Sequence, residues 1–186
     1  MVEGDHPLPV TVRCMPIYAL GDLVPSIHPD AFVHPDAIVI GAVEIGSESS
    51  VWPGAVLRGD ASRIVVGTRT SVQDGAIVHC AIRRPTLIGD ECTVGHLAHL
   101  EGCTIQSGCL IGVGAIVLHR VVVHSGAIVA ANAVVLDDTD VPAGALALGV
   151  PAKIREGAAV PARITEGYES YVAKARHYRK ALRRIE

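Results

Sequence analysis

Large aliphatic residues recur at every sixth position, from Ile27 through Val33, Val39, Ile45 and Val51 to Leu57, and again from Ile105 through Ile111, Val117, Val123, Val129 and Val135 to Val141. Four residues after each stands a smaller one: Ala31, Ala37, Val43, Ser49 and Ala55 in the first run, and Cys109, Ala115, Val121, Ala127, Ala133, Thr139 and Ala145 in the second. A hexad with one large and one small buried position predicts a parallel β-helix, each hexad supplying a short strand and a corner. Stacked coils bury ladders of like side chains that no single coil buries alone. Corners such as His28-Pro29-Asp30 and Ile45-Gly46-Ser47 carry the residues that turns favour. A helix would need apolar residues three and four apart, and Gly46, Gly54, Gly67, Gly89, Gly95, Gly112 and Gly126 would each weaken it.

Two insertions and one shortened step interrupt the period. Between Leu57 and Val66 three extra residues accompany Gly59-Asp60-Ala61-Ser62, and between Val78 and Ile88 four extra residues form a loop around Arg83-Arg84-Pro85. Leu100 to Ile105 is a step of five. Residues 1–25 lack the hexad phase and are expected to form an N-terminal arm and a strand leading into the coil. Residues 26–150 are the β-helix, and 151–186 a linker and a C-terminal α-helix packed on it. That helix is predicted from Thr165 onward, where Tyr168, Tyr171, Val172, Ala175, Tyr178, Leu182 and Ile185 fall at three- and four-residue steps. Its other face, with Lys174, Arg176, Arg179, Lys180, Arg183 and Arg184, is expected to be solvated.

Of the 186 residues 49% are hydrophobic but only 3% aromatic, so the core must be almost wholly Val, Ile, Leu and Ala. A formal charge of −3 gives no basis for nucleic-acid binding. No stretch approaches the roughly 20 apolar residues of a membrane helix, and the N-terminus lacks a signal-peptide pattern. A cytoplasmic protein with no membrane partner is expected. The five cysteines follow no metal-site spacing, and Cys92 and Cys109 fall on small buried positions, as free thiols of a reducing compartment do.

The histidines mark where chemistry is to be sought. With three hexads per coil, His79 follows the core residue Val78 and points outward. One coil plus the inserted loop then carries the chain to Glu101, on the rung above His79 and facing the same way. His99 and Glu101 flank Leu100, and alternate residues of a strand share a face. His79, His99 and Glu101 are therefore predicted to line one surface patch. His96 precedes this strand at a corner, where it can face a neighbouring subunit. His28, His34 and His124 also follow core aliphatics, so an outward histidine is by itself ordinary in this repeat. His119 is expected at the solvated surface or in a subunit contact.

The run Leu57-Arg58-Gly59-Asp60, then Ser71-Val72-Gln73-Asp74-Gly75, Val78-His79, Thr93-Val94-Gly95-His96 and Glu101-Gly102-Cys103-Thr104 resembles the γ-class carbonic anhydrases over roughly residues 15 to 155. The resemblance implies a left-handed parallel β-helix of hexapeptide repeats, an exception to the usual crossover hand, with a C-terminal helix antiparallel to it. It implies a homotrimer holding zinc, or iron, at each subunit interface. It makes His79 a metal ligand and His96 a second, donated across the interface. The family's third histidine is replaced here by Glu101, leaving Glu101, His99 or a weak or absent metal site as alternatives. Two histidines and a glutamate form a known catalytic zinc set.

The implied activity is reversible hydration of carbon dioxide to bicarbonate by a metal-bound hydroxide. A carboxylate ligand would make the bound water less acidic. By the same resemblance Gln73 orients the water or bicarbonate, Asp74 supports the site, and Arg58 and Asp60 join neighbouring subunits beside it. Ser71 stands where the family archetype has asparagine, the loop after His79 lacks its acidic proton shuttle, and no tyrosine occurs near Leu148-Gly149-Val150-Pro151 where the archetype has one. Two other readings stay open: a non-catalytic or weakly active assembly relative, and a hexapeptide-repeat acyltransferase using a histidine base and coenzyme A.

Overall fold

The structure is a computed structural model that describes residues 16–185; the first part of the expected arm, with Cys14, lies outside the described residues. The chain winds as a parallel β-solenoid of about seven turns. Equivalent hexads stack in register, with Val33 on Val51, then Val72, Val94, Ile111 and Val129. The set of strands beginning at Phe32–Val33 forms one eight-stranded sheet. The other two faces merge into a twelve-stranded sheet, because Ile38–Ile45 and Val56–Val66 run round a corner without interruption.

The interior repeats the sequence pattern. The small positions Ala37, Ala55, Ala76, Ala98, Ala115 and Ala133 form one fully buried column at a corner, where a larger side chain would force neighbouring walls apart. A second corner column runs through Ser49, Thr70, Cys92 and Cys109, all buried. Its hydroxyls satisfy backbone groups of adjacent turns: Thr70 Oγ1 donates to the Gly89 carbonyl at 2.7 Å and accepts from the Cys92 N–H at 3.0 Å. Four cysteines among the described residues are buried and free, and burial pushes the Cys103 thiol up to about 12.

Both insertions stay outside the core. The first is absorbed by the strand Val56–Val66, whose pairing with Ile38–Ile45 shifts register between Gly41 and Val43. Backbones nearly touch there: a Cβ on Gly41, which has φ +76°, would lie 2.4 Å from the Gly59 carbonyl oxygen. The second insertion folds back on itself through paired backbone bonds between Ala81 and Arg84, of 3.0 and 2.8 Å, and pushes Ile82 into solvent.

Strand pairing begins at Ile17–Tyr18, inside the stretch read as arm, and ends with Lys153–Arg155, inside the stretch read as linker and antiparallel to Leu146–Leu148. The C-terminal helix spans Pro161–Ala181, one turn earlier than its apolar stripe suggested. Pro161 suits the first turn, where its missing N–H is not needed, and Ile164 is buried. Leu182 and Ile185 lie beyond the helix end. The helix runs back along the eight-stranded face, from Gly167 against Thr93 to Arg179 beside Asp30. Trp52 anchors it, its ring 5.2 Å from Tyr171, 5.1 Å from Tyr178 and 5.4 Å from Phe32 between centroids. The basic face is exposed, as expected, but two of its residues also reach the coil. Arg176 pairs with Glu48, and Arg179 donates to the carbonyls of Asp30 and Pro29 at 2.8 and 3.0 Å.

Candidate metal centre

Glu101 sits opposite His79 in the parallel pairing of Ile77–His79 with His99–Glu101, and Arg58 lies opposite His79 one turn below. This outward column is the one the rung spacing predicts. His79 is held between two carboxylates: its Nδ1 is 2.9 Å from Glu101 Oε1 and its Nε2 2.9 Å from Asp60 Oδ1. Asp60, presented by the first insertion, also binds Arg58 within the same chain. His99 Nε2 lies 3.4 Å from the second oxygen of Glu101. Glu101 thus touches both imidazoles of its face.

The side chains of His79 and Glu101 are 18% and 24% exposed, so they are partly dehydrated yet reachable from outside. Burial opposes ionisation of Glu101, but the hydrogen bond to His79 and the charges of His79 and His119 outweigh it and hold the carboxyl below the usual carboxylate range. Asp60 is treated alike: burial raises it, while hydrogen bonds to His79 and Arg58 bring it below its usual value. His119, expected at the solvated surface or in a subunit contact, is half-buried in the single chain. Its Nδ1 is buried without a hydrogen-bond partner, against the corner at Gly102.

His96 belongs to a different cluster. It stands at the corner before its face, stacked on Asp74, with Nδ1 2.9 Å from Asp74 Oδ2. The carboxylate favours the proton on Nδ1 and leaves Nε2 as the electron-pair donor. The Tyr171 hydroxyl lies 3.2 Å from that Nε2. Burial, with Asp74 nearby, pushes the Tyr171 phenol up, so it keeps its proton. Tyr171 was read from the sequence only as part of a packing stripe; a contact 75 residues apart has no local signal. The site thereby has a tyrosine, supplied by the helix rather than by residues 148–151. Gln73, 5% exposed, and Ser71, whose hydroxyl is buried and unpartnered, sit on the sheet against which the helix packs.

One chain therefore brings Arg58, Asp60, His79, His99 and Glu101 together and keeps Asp74, His96 and Tyr171 at the opposite edge of the same face. Within the described residues no group of three or more His, Cys, Asp or Glu side chains is arranged to hold a metal ion. The donors nevertheless fit a divalent cation as two halves: imidazole and carboxylate on one edge, and on the other an imidazole backed by a carboxylate, the usual support of a metal-binding histidine. Zinc and ferrous iron both accept such donors.

Comparison with known proteins agrees with the coil and its motifs. The family model "Bacterial transferase hexapeptide (six repeats)" matches residues 25–59. Gamma carbonic anhydrase 2, mitochondrial, of Arabidopsis thaliana is 46% identical over 160 residues, 82% of this chain and 58% of that protein. The protein of Methanocaldococcus jannaschii named "Probable carbonic anhydrase" is 42% identical over 147 residues, 73% of this chain and 92% of its own length. Among solved structures, a hexapeptide transferase family protein from Anaplasma phagocytophilum superposes with a TM-score of 0.81 at 34% identity, covering 87% of this chain and 96% of that one. The chain spans only 58% and 50% of the length of two plant relatives it matches. Coil, corners and repeat place it among the hexapeptide-repeat β-solenoid proteins. Within that class, the chain belongs to the γ-class carbonic anhydrase family.

Proposed function

We propose that this protein catalyses the reversible hydration of carbon dioxide to bicarbonate at a divalent metal centre, zinc or iron, completed between the subunits of a homotrimer. The observation that carries this reading is the stacking of Glu101 on His79 at one edge of a face whose other edge bears His96, backed by Asp74. Side by side in a closed ring, the edge of one chain meets the opposite edge of the next, so His79 and Glu101 of one subunit would be joined by His96 of its neighbour. A cation held there would lower the pKa of bound water toward neutrality.

The chain's own residues then have separate tasks. Glu101, already ionised, supplies a negative donor and offsets part of the cation's charge. His99 holds the second Glu101 oxygen and is the alternative third ligand. Asp60 must give up His79 Nε2 for that nitrogen to bind a cation, and Arg58 is at hand to keep it. Asp74 fixes the tautomer of His96, and Tyr171, displaced from Nε2, offers a hydroxyl beside the site. Gln73 orients water or bicarbonate in this reading, from its position next to Asp74. The buried free thiols suit a reducing compartment such as the cytoplasm.

A non-catalytic assembly role is favoured by one observation, the carboxylates already occupying both nitrogens of His79. Elemental analysis of protein purified without chelators, set beside Glu101→Ala and His99→Ala, separates the two. Near one metal per subunit, lost in only one of these variants, supports the centre and identifies the third ligand. A parent that holds no metal after reconstitution with zinc or ferrous iron rejects it. Carbon dioxide hydration by the loaded parent, without coenzyme A binding, separates it from an acyltransferase.

A further inference from the structure

We propose that Thr86 is a positioning residue of the metal centre, the side chain that sets Glu101 over His79. The inference rests on the metal-binding reading above. The chain leaves the coil after His79, passes through the inserted loop and returns at the strand Thr86–Ile88. Thr86 is wholly buried. Its hydroxyl donates to the His79 carbonyl and accepts the N–H of Gly102 at 2.8 Å. One oxygen thus ties the backbone of the lower candidate ligand to the residue that follows the upper one. Thr70 bridges adjacent turns in the same way within the second corner column, but Thr86 does so beside His79 and Glu101.

The strand pairing aligns Glu101 with His79 only up to the end of the strand. Beyond it the chain turns at Gly102, in the left-handed region with φ +60°. This corner has little slack: a Cβ on Gly102 would lie 2.8 Å from His119 Nδ1 and 3.2 Å from the Arg84 Cβ. Four residues are inserted between the two rungs here, and the paired strands still place Glu101 opposite His79. The Thr86 hydroxyl adds a side-chain bridge where that pairing ends and the chain turns. Losing it leaves a buried carbonyl and a buried N–H to find other partners, and the two ligand-bearing backbones shift to do so. Supports of this kind typically change metal affinity by roughly 10–100-fold when removed.

The test uses cobalt(II), whose visible absorption reports ligand geometry, on the full chain. Affinity is measured by competition with a chelator, and folding by thermal melts of the metal-free protein. Thr86→Val, which keeps the branched shape, is expected to bind cobalt roughly 10–100-fold more weakly with altered absorption bands, whereas Thr86→Ser is expected to keep the parental affinity and spectrum. Should Thr86→Val fail to fold, Thr86→Ser against Thr86→Ala isolates the hydroxyl without the methyl, and the same loss is expected in the alanine variant. Parental affinity and spectrum in the hydroxyl-free variant overturns the role of Thr86 while leaving the metal centre intact. A parent that takes up no cobalt overturns both.

Discussion

At the scale of single residues, Glu101 ties the candidate centre together. It lies where the family archetype carries histidine, and it contacts His79 and His99 at once. Its carboxyl is held below the ordinary range, and a group so depressed contributes stability that is present above its unfolded value, about 4.3, and lost as pH falls through its folded value. Metal-free Glu101→Gln is therefore expected to be less stable than the parent at pH 7 by on the order of 1 kcal/mol, with the difference closing in acid; thermal melts in chelator between pH 7 and 3 measure it. A gap that widens toward low pH would reject the His79–Glu101 bond. The register that brings these residues together was legible, since it depends only on counting hexads and one insertion. Asp60 on His79 Nε2 was not, because the path of an inserted bulge is set by backbone contacts such as Gly41 on Gly59 that no periodicity encodes.

Among the elements, the C-terminal helix links fold to site, because Tyr171 reaches His96 only while the helix is seated. Aromatic packing around Trp52 seats it more firmly than the exposed Arg176–Glu48 pair, since solvent screens such pairs to between zero and about 1 kcal/mol. Trp52→Ala is expected to cost about 3–5 kcal/mol, and Arg176→Ala less than about 1 kcal/mol, in urea melts followed by circular dichroism. Equal losses would show that the helix is held by its charges. The existence of the helix could be read from its apolar stripe. Its start could not, because Pro161 and Ile164 precede the first regular repeat of that stripe. Nor could the anchoring of Arg176 and Arg179, whose partners lie 128 to 150 residues away in sequence.

For the whole molecule, the proposed reading makes metal binding a property of the assembly, because His96 stands apart from His79 across one face. His79→Ala and His96→Ala are each expected to abolish metal uptake without unfolding the coils, as both side chains point away from the core. Trimers re-formed from an equal mixture of the two should regain about one quarter of the sites, because each site then needs one intact donor from each of two adjacent chains. No recovery in mixed trimers, measured as bound metal after co-refolding, would place all ligands in one chain. The reversal of direction at Lys153–Arg155 acts at this scale too. A parallel coil ends in the same unpaired edge on which its own turns stack, so the repeat carries no instruction to stop. On the eight-stranded sheet the last strand runs the other way, with exposed side chains and two cations. On that face it offers an arriving molecule the wrong polarity and a like charge, and a chain built like a segment of fibre is there discouraged from growing end to end.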